Sequence, residues 1–331
     1  MDEGDGLTSL TGATRAGLPL AFSRAPCARL RPWIARMGVT QVDLPEGQAV
    51  EGTILSESAA LRIVFGSNWS ATTRDGQQLF KPGGRGMTLL FGPHSRAMPV
   101  RVSGSFAVAT INLTAGANAA LGGPNPVEML DRIIDYDAHV GHGNLSERLL
   151  HINGAENWIE AIEREYLRFV DRYRPPQPNT LITHFEIATL GDPTFPLGDF
   201  AAAHSICQRT LERLVRKEMG VTPGLALRRA RALDMAAVLL GVAIKEDEPE
   251  LRLRYFDQSH LIREMRHFFD LTPSQFIEID RPLLRIGVEM RQIRRIELLE
   301  SVASGELSPW RDPMAEPRPQ LPARKLSRRA S

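Results

Sequence analysis

The sequence predicts an α+β protein: an N-terminal antiparallel β sandwich or barrel with helices, then a C-terminal all-α domain of two helix-turn-helix units joined by a long helix. Three observations support this prediction. Residues 38–114 hold short runs rich in Val, Ile, Phe and Thr, interrupted by turn residues, which is typical of strands. Residues 180–299 have the apolar periodicity of helices. A stretch of twenty residues in that half recurs fifty residues later.

Composition favours a globular protein with two cores. The chain has 331 residues, a hydrophobic fraction of 43% and a net charge of +1. It lacks a run of about 18 apolar residues, and its N-terminus lacks the basic and apolar regions of a signal peptide. We therefore expect a cytoplasmic protein with no membrane contact. The two cysteines, Cys27 and Cys207, are too few for a disulfide framework or a zinc pattern.

The chain divides at a proline-rich segment. The motif RPPQPN, residues 174–179, has three prolines and cannot continue the preceding helix. The predicted segments are a disordered N-terminus (1–20), a sandwich domain with a helical extension (21–173), a linker (174–180), the paired helix-turn-helix units (181–280), a C-terminal helix (281–300) and a disordered tail (301–331).

The internal repeat aligns QRTLERLVRKEMGVTPGLAL, residues 208–227, with QSHLIREMRHFFDLTPSQFI, residues 258–277, without a gap. Six of the twenty positions are identical, including the pairs Arg213/Arg263 and Arg216/Arg266. Apolar matches are expected between any two amphipathic helices, but core packing does not explain matched arginines. We therefore expect these arginines to lie on an outer face with a shared role.

Each copy has the same order of elements. A helix of about twelve residues is followed by Thr-Pro, an N-cap and a proline at the first helical position. A short helix and a turn precede the first copy, which predicts a helix-turn-helix. Residues 205–232 hold seven basic and two acidic residues, and such a local excess of charge is common where proteins bind nucleic acid. A solvated helix face is the alternative interpretation.

These motifs resemble the AraC family of bacterial transcription regulators. CQRTLERLVRKEMGVTP, RRARALDMAAVLL and YFDQSHLIREMRHFFDLTP are similar to the family's first recognition helix, connecting helix and C-terminal signature, and the resemblance covers residues 181–279. The N-terminal half is similar to the cupin-like domain that some members carry. Cys207, Glu250 and Arg254 stand where the family usually has a small residue, alanine and a turn glycine. Whether the second unit reads bases is therefore left open.

A recognition helix in the major groove presents positions i, i+3, i+4 and i+7 to the DNA. The predicted DNA contacts of the first helix are Gln208, Arg209, Glu212, Arg213, Arg216 and Lys217. Those of the second are Gln258, Ser259, Ile262, Arg263 and Arg266, and Arg228 and Arg229 are predicted phosphate contacts. A rigid connector would hold the two helices about one DNA turn apart, roughly 34 Å, in successive major grooves.

The N-terminal domain is the predicted location of an effector site. The mouth of a sandwich or barrel is a plausible ligand pocket, and the predicted effector-pocket residues are Trp69, Phe91, His94 and Arg96. Although cupin barrels can bind metals, we interpret the histidines as ordinary polar residues and expect no metal and no cofactor. No phosphate-binding loop, nucleophile elbow or metalloprotease motif occurs in the sequence.

The leading hypothesis is a sequence-specific DNA-binding transcription regulator and not an enzyme. Its expected partner is double-stranded operator DNA. A small-molecule effector, RNA polymerase and a second copy of the chain in a homodimer are further candidate partners. Two alternatives remain open: a cupin-type metal-dependent enzyme, and a protein-interaction module whose arginine face binds an acidic partner.

Overall fold

The computed structural model describes residues 7–9, 21–140, 145–243 and 258–304. The described residues form strands in the N-terminal half and helices in the C-terminal half, so the predicted α+β class is confirmed. The described strands are β1 (Leu7–Ser9), β2 (Ala21–Arg24), β3 (Ile34–Val42), β4 (Ala49–Ile54), β5 (Ala60–Gly66), β6 (Trp69–Thr73), β7 (Gly76–Phe80), β8 (Gly83–Phe91), β9 (Met98–Ser103), β10 (Phe106–Leu113) and β11 (Ile133–Asp135). Since β1 pairs with β2, the disorder predicted for residues 1–20 is wrong for these three residues.

The helices follow in two groups. Four accompany the strands: α1 (Ala117–Ala120), α2 (Tyr136–Val140), α3 (Leu145–Leu149) and α4 (Ala155–Tyr173). The others are α5 (Thr180–Gly191), α6 (Leu197–Ala203), α7 (Gln208–Met219), α8 (Pro223–Leu239), α9 (Gln258–Phe269), α10 (Pro273–Glu278) and α11 (Pro282–Ala303). The proline-rich segment between α4 and α5 is not helical. Proline has no amide hydrogen to donate to the helical hydrogen-bond pattern, so it disfavours a helix there.

Two antiparallel sheets form the sandwich. The larger has the strand order β1-β2-β3-β10-β5-β8-β11, and the smaller has the order β4-β9-β6-β7. Strand β10 pairs with both β3 and β5 in the middle of the larger sheet. Apolar side chains from both sheets meet in one core, for example Val64, Phe91 and Val108 from the larger sheet and Trp69 and Val100 from the smaller. This core is the interior of the sandwich.

The larger sheet is covered on its outer face as well. Leu61 and Ile63 of β5 pack in a second core with Trp158 and Ile159 of α4. The two faces of β5 are therefore both buried, which explains why its sequence reads as an apolar run and not as a strict alternation. Alternate residues of β5 still point to opposite sides, so Arg62 lies on the interior face of the sandwich with Val64.

The local structure of the two repeats agrees. Helices α7 and α9 each have 12 residues and begin fifty residues apart. Thr222 and Thr272 cap the next helices by accepting hydrogen bonds from backbone amides, and a proline follows each. Residues 220 and 270, at the ends of α7 and α9, both have positive φ, 75° for Gly220 and 59° for Asp270. The repeat predicted from sequence is therefore confirmed at the level of helices and caps.

Helix α11 belongs to two cores. Leu283, Ile286 and Met290 pack into the interior of the sandwich. Leu284 and Val288, on another side of the same helix, pack with α8 and α9. The last described helix therefore joins the sandwich to the helical half. Because of this joint, the two halves form one continuous packed body.

Candidate nucleic-acid interface and ligand cavity

Helix α7 separates a buried stripe from an exposed face. Leu211, Val215 and Met219, at i, i+4 and i+8, are buried against α5, α6 and α8. Gly220 ends the helix in the left-handed region, and a side chain there would bring its Cβ to 2.6 Å from the Pro126 carbonyl oxygen, which is a collision. All six predicted DNA contacts on the other face are exposed: Gln208, Arg209, Glu212, Arg213, Arg216 and Lys217.

Helix α9 repeats this separation. Met265, Phe268 and Phe269 are buried with α8 and α11. Of the predicted contacts on this helix, Gln258, Ser259, Arg263 and Arg266 are exposed and Ile262 is partly buried. The predicted turn with Arg254, and Glu250 in the preceding helix, lie outside the described residues.

The arginines on the exposed faces are free of partners in the part of the chain that the structure describes. No hydrogen bond or ion pair within residues 7–9, 21–140, 145–243 and 258–304 involves the side chains of Arg209, Arg213, Arg216, Arg263 or Arg266. Two of their polar neighbours on α7 do have partners. The Gln208 amide donates to Glu212 at 3.3 Å, and Lys217 lies 3.4 Å from Glu218. The two exposed faces therefore offer guanidinium groups that no described carboxylate neutralises.

The connector helix uses its arginines differently. Arg229 is fully buried and donates to the backbone carbonyls of His94 at 2.5 Å and Glu57 at 2.9 Å. Its predicted contact with phosphate is therefore wrong in this conformation, since DNA does not reach it. Arg228 forms an ion pair with Glu264 of α9 at 2.9 Å but keeps 41% of its side chain exposed. A phosphate contact by Arg228 stays a prediction.

A buried ionic network joins the sandwich to the connector. Arg291 of α11 donates to the Glu57 carboxylate at 2.6 Å and to Asp234 of α8 at 2.5 Å. Arg229 adds the two carbonyl contacts just described. We call the group Glu57, His94, Arg229, Asp234 and Arg291 the seam. Asp234 is fully buried and Arg291 is 8% exposed, so solvent screens their attraction little.

His94, a predicted pocket residue, is part of the seam. Its side chain is fully buried, with Nδ1 3.1 Å from the Ile54 carbonyl and 3.2 Å from the Ser56 amide. Burial, and then the charges of Arg62 and Arg229, lower the pKa of His94 to about 3. His94 is therefore neutral at physiological pH and holds strand ends together. Among the described residues no group of three or more His, Cys, Asp or Glu could hold a metal ion.

A cavity of about 120 Å³ lies between the sandwich interior and α11. Trp69 lines it, as predicted for the effector pocket, whereas Phe91, His94 and Arg96 do not. Arg96 is exposed on the surface, and Phe91 lies in the core behind the cavity. The apolar lining includes Ile54, Leu55, Trp69, Phe106, Val108, Leu283, Ile286 and Met290, and the charged lining is Arg36, Glu57, Arg62, Arg291 and Arg294.

Arg62 is the cavity residue that the sequence analysis missed. Its guanidinium carbon lies 4.5 Å from the centre of the Phe91 ring, and its buried Nε has no hydrogen-bond partner. Burial lowers the pKa of Arg62 to about 10, with no acidic neighbour to offset it. The motif ALRIVFG could have revealed this residue, because an arginine inside an apolar strand is exceptional unless it is paired.

Comparisons with known proteins give a distant likeness. No family model matches the sequence, and no curated protein matches it. Apo ToxT from Vibrio cholerae is a similar solved structure, with a TM-score of 0.44 and 9% identity, covering 73% of this chain and 97% of that one. ToxT bound to (E)-4-(8-methylnaphthalen-1-yl)but-3-enoic acid has a TM-score of 0.43 and 10% identity, with 73% and 98% covered. Oxalate decarboxylase from Bacillus subtilis has a TM-score of 0.22 and 11% identity, covering 47% of this chain and 39% of that one.

These likenesses are too low to carry a conclusion about function. None of the described helices is long and apolar enough to cross a membrane.

Proposed function

We propose that this protein is a sequence-specific DNA-binding transcription regulator in which α7 and α9 read two successive major grooves. One observation carries the proposal. Two helices fifty residues apart bury equivalent apolar stripes and expose equivalent arginines, Arg213 with Arg263 and Arg216 with Arg266. Repeated burial accounts for the stripes, and the repeated exposed arginines, which have no ion pair among the described residues, favour a shared outside partner.

The chemistry of the exposed faces suits a DNA groove. A guanidinium group can donate two hydrogen bonds to guanine O6 and N7, so Arg209 and Arg213 are candidate base readers. Glu212 can accept from cytosine or orient an arginine, and Ile262 can pack on a thymine methyl. Arg216, Lys217 and the exposed part of Arg228 suit phosphate contacts, which fix position without reading sequence.

The N-terminal sandwich is proposed as the control element. It contacts both reading units: Pro126 lies against Gly220 at the end of α7, and the Ala97 amide donates to the Phe268 carbonyl of α9 at 2.7 Å. A change inside the sandwich can therefore alter how the two helices are held. An effector, a second copy of the chain and RNA polymerase are proposed partners in this control.

Selection of bound fragments from a genomic DNA pool, followed by gel-shift titration of the selected sequence, tests the proposal. The wild-type chain should prefer the selected sequence over a scrambled one of equal length. Arg213→Ala should weaken that preference by about 1–3 kcal/mol, the worth of one bidentate base contact. The matched control is Arg164→Ala, which removes an exposed arginine of α4 and should bind like wild type.

Two outcomes would reject the proposal. Equal binding to selected and scrambled DNA at every salt concentration would show a nonspecific cationic face. Capture of an acidic protein that competes with DNA for the same arginines, without any DNA sequence preference, would favour the protein-interaction alternative.

A further inference from the structure

Arg62 stands out because it is a cation inside the sandwich without an anion. It lies in the middle of β5, opposite Thr110 of β10 and Leu89 of β8, on the face that lines the cavity. Its contact with Phe91 is a cation–ring contact, which leaves its charge uncompensated. An unpaired charge in a buried site costs stability, and a bound anion is one explanation for its retention.

The other charged residues that line the cavity have partners. Arg36 pairs with Glu297 at 2.7 Å, and Arg294 pairs with Glu186 at 2.8 Å. Arg291 and Glu57 pair with each other in the seam. Within the described residues, Arg62 is therefore the charged group of this lining that has no ion pair.

Further hydrogen-bond donors in the lining also lack acceptors. The buried atoms without a partner include Nε of Arg62, Nε1 of Trp69 and Nη2 of Arg291. All three groups can only donate, so the molecule that satisfies them must supply acceptor atoms. A negatively charged acceptor such as a carboxylate would satisfy donors and offset the charge of Arg62 together.

The remaining lining and the volume define the rest of the ligand. Trp69, Phe106 and Ile286 give the cavity an apolar wall. A volume of about 120 Å³ is slightly smaller than the roughly 150 Å³ of an engineered cavity that binds benzene, so it fits a molecule of about five or six non-hydrogen atoms. Because Arg62 is the one unpaired cation among the described lining residues, we expect a ligand with a single negative charge.

We propose that the cavity binds a small organic monocarboxylate, with its carboxylate on Arg62 and its apolar body against Trp69, Phe106 and α11. The inference names an effector class for the control role proposed above and rests on that role only for its regulatory consequence. Since Glu57 and Arg291 line the same cavity, the bound molecule lies beside the seam that joins sandwich and connector. A bound molecule would therefore act on the seam contacts that α8 and α11 make with the sandwich.

Thermal unfolding and calorimetric titration of the full chain test the proposal without DNA. The probes are butanoate and 3-methylbutanoate, and the matched uncharged controls are butanamide and 3-methylbutanamide. Both carboxylates should raise the Tm of the wild type, and the amides should not. Arg62→Met should raise the ligand-free Tm, because it removes a buried uncompensated charge, and should weaken carboxylate binding about tenfold or more. Arg96→Met, at an exposed arginine outside the cavity, should behave like wild type.

Four results would overturn the proposal. They are the absence of any carboxylate-dependent shift, equal shifts from carboxylates and amides, an equal shift from inorganic phosphate, and carboxylate binding by Arg62→Met at wild-type affinity. Should Arg62→Met fail to fold, Arg62→Gln carries the same test. Because no DNA is present, a failure here leaves the DNA-reading proposal standing, and a failure in the gel shift leaves this one standing.

Discussion

The arginines of the exposed faces and the arginines of the seam differ in their exposure to solvent and in their partners. Arg213 and Arg263 are exposed and have no ion pair in the described structure. Arg229 and Arg291 are buried and donate to carbonyls or carboxylates from another part of the fold. The first pair is available to an outside partner, whereas the hydrogen bonds of the second pair hold the sandwich to the helices.

This difference shows that a basic segment does not by itself define a binding surface. Arg228, Arg229 and Arg231 continue the basic stretch of α7, yet Arg229 is buried and Arg231 donates to the Pro193 carbonyl at 2.8 Å. We therefore expect substitutions in the seam to alter stability. Substitutions on the exposed faces should alter DNA binding while leaving stability nearly constant.

The largest effect is expected from Arg291→Met. The substitution removes the cation that pairs with both Glu57 and the fully buried Asp234. The free energy of unfolding should fall by about 3–5 kcal/mol, because removing one partner leaves buried carboxylates without their cation. Urea denaturation measures this loss. Arg216→Met on the exposed face of α7 is the matched control and should change stability by less than about 0.5 kcal/mol. Equal losses in the two variants would contradict the comparison.

The next effect is acid sensitivity of the seam through His94. The folded-state pKa of about 3 is lower than the ordinary value of 6.5, so the unfolded chain binds the proton more readily between these values. The stabilisation is therefore complete above pH 6.5 and is lost as pH falls toward 3, by about 2 kcal/mol at pH 5.

Denaturation at a series of pH values should show this loss in the wild type and a smaller slope in His94→Gln. The matched control is His151→Gln, at an exposed histidine. A His94→Gln slope equal to that of the wild type would place the acid sensitivity elsewhere.

The smallest effect concerns Lys217, whose side chain is 71% exposed. Lys217→Ala should weaken binding to selected and scrambled DNA alike, since a phosphate contact carries no sequence information. The slope of log affinity against log salt should become less steep by about 0.9, the release of one counterion equivalent. Gel shifts at several salt concentrations measure it. A loss confined to the selected sequence would instead make Lys217 a base reader.

The exposed faces of α7 and α9 could be predicted from sequence periodicity, because each face depends only on residues of its own helix. The spacing of Leu211, Val215 and Met219 defines the buried side of α7, and the remaining positions follow from helix geometry. The caps at Thr222 and Thr272 follow from residue type and the proline that comes next. No tertiary information was needed for either.

The seam and the cavity could not be predicted in the same way, because they depend on contacts distant in sequence. Arg229 donates to His94, 135 residues earlier, and Arg291 donates to Glu57, 234 residues earlier. Helix α11 did carry one indication. Its apolar residues, such as Leu283, Leu284 and Ile286, are spread around the helix, a pattern typical of a helix buried on more than one side.

Protection of the selected DNA against cleavage, compared among wild type, Arg213→Ala and Arg263→Ala, tests the central claim most directly. The wild type should protect two segments about one helical turn, roughly 34 Å, apart. Arg213→Ala should lose protection at one segment and Arg263→Ala at the other, while both variants unfold at the wild-type urea concentration. Two variants that keep both protected segments, or that lose the same single segment, would contradict reading by two repeated helices.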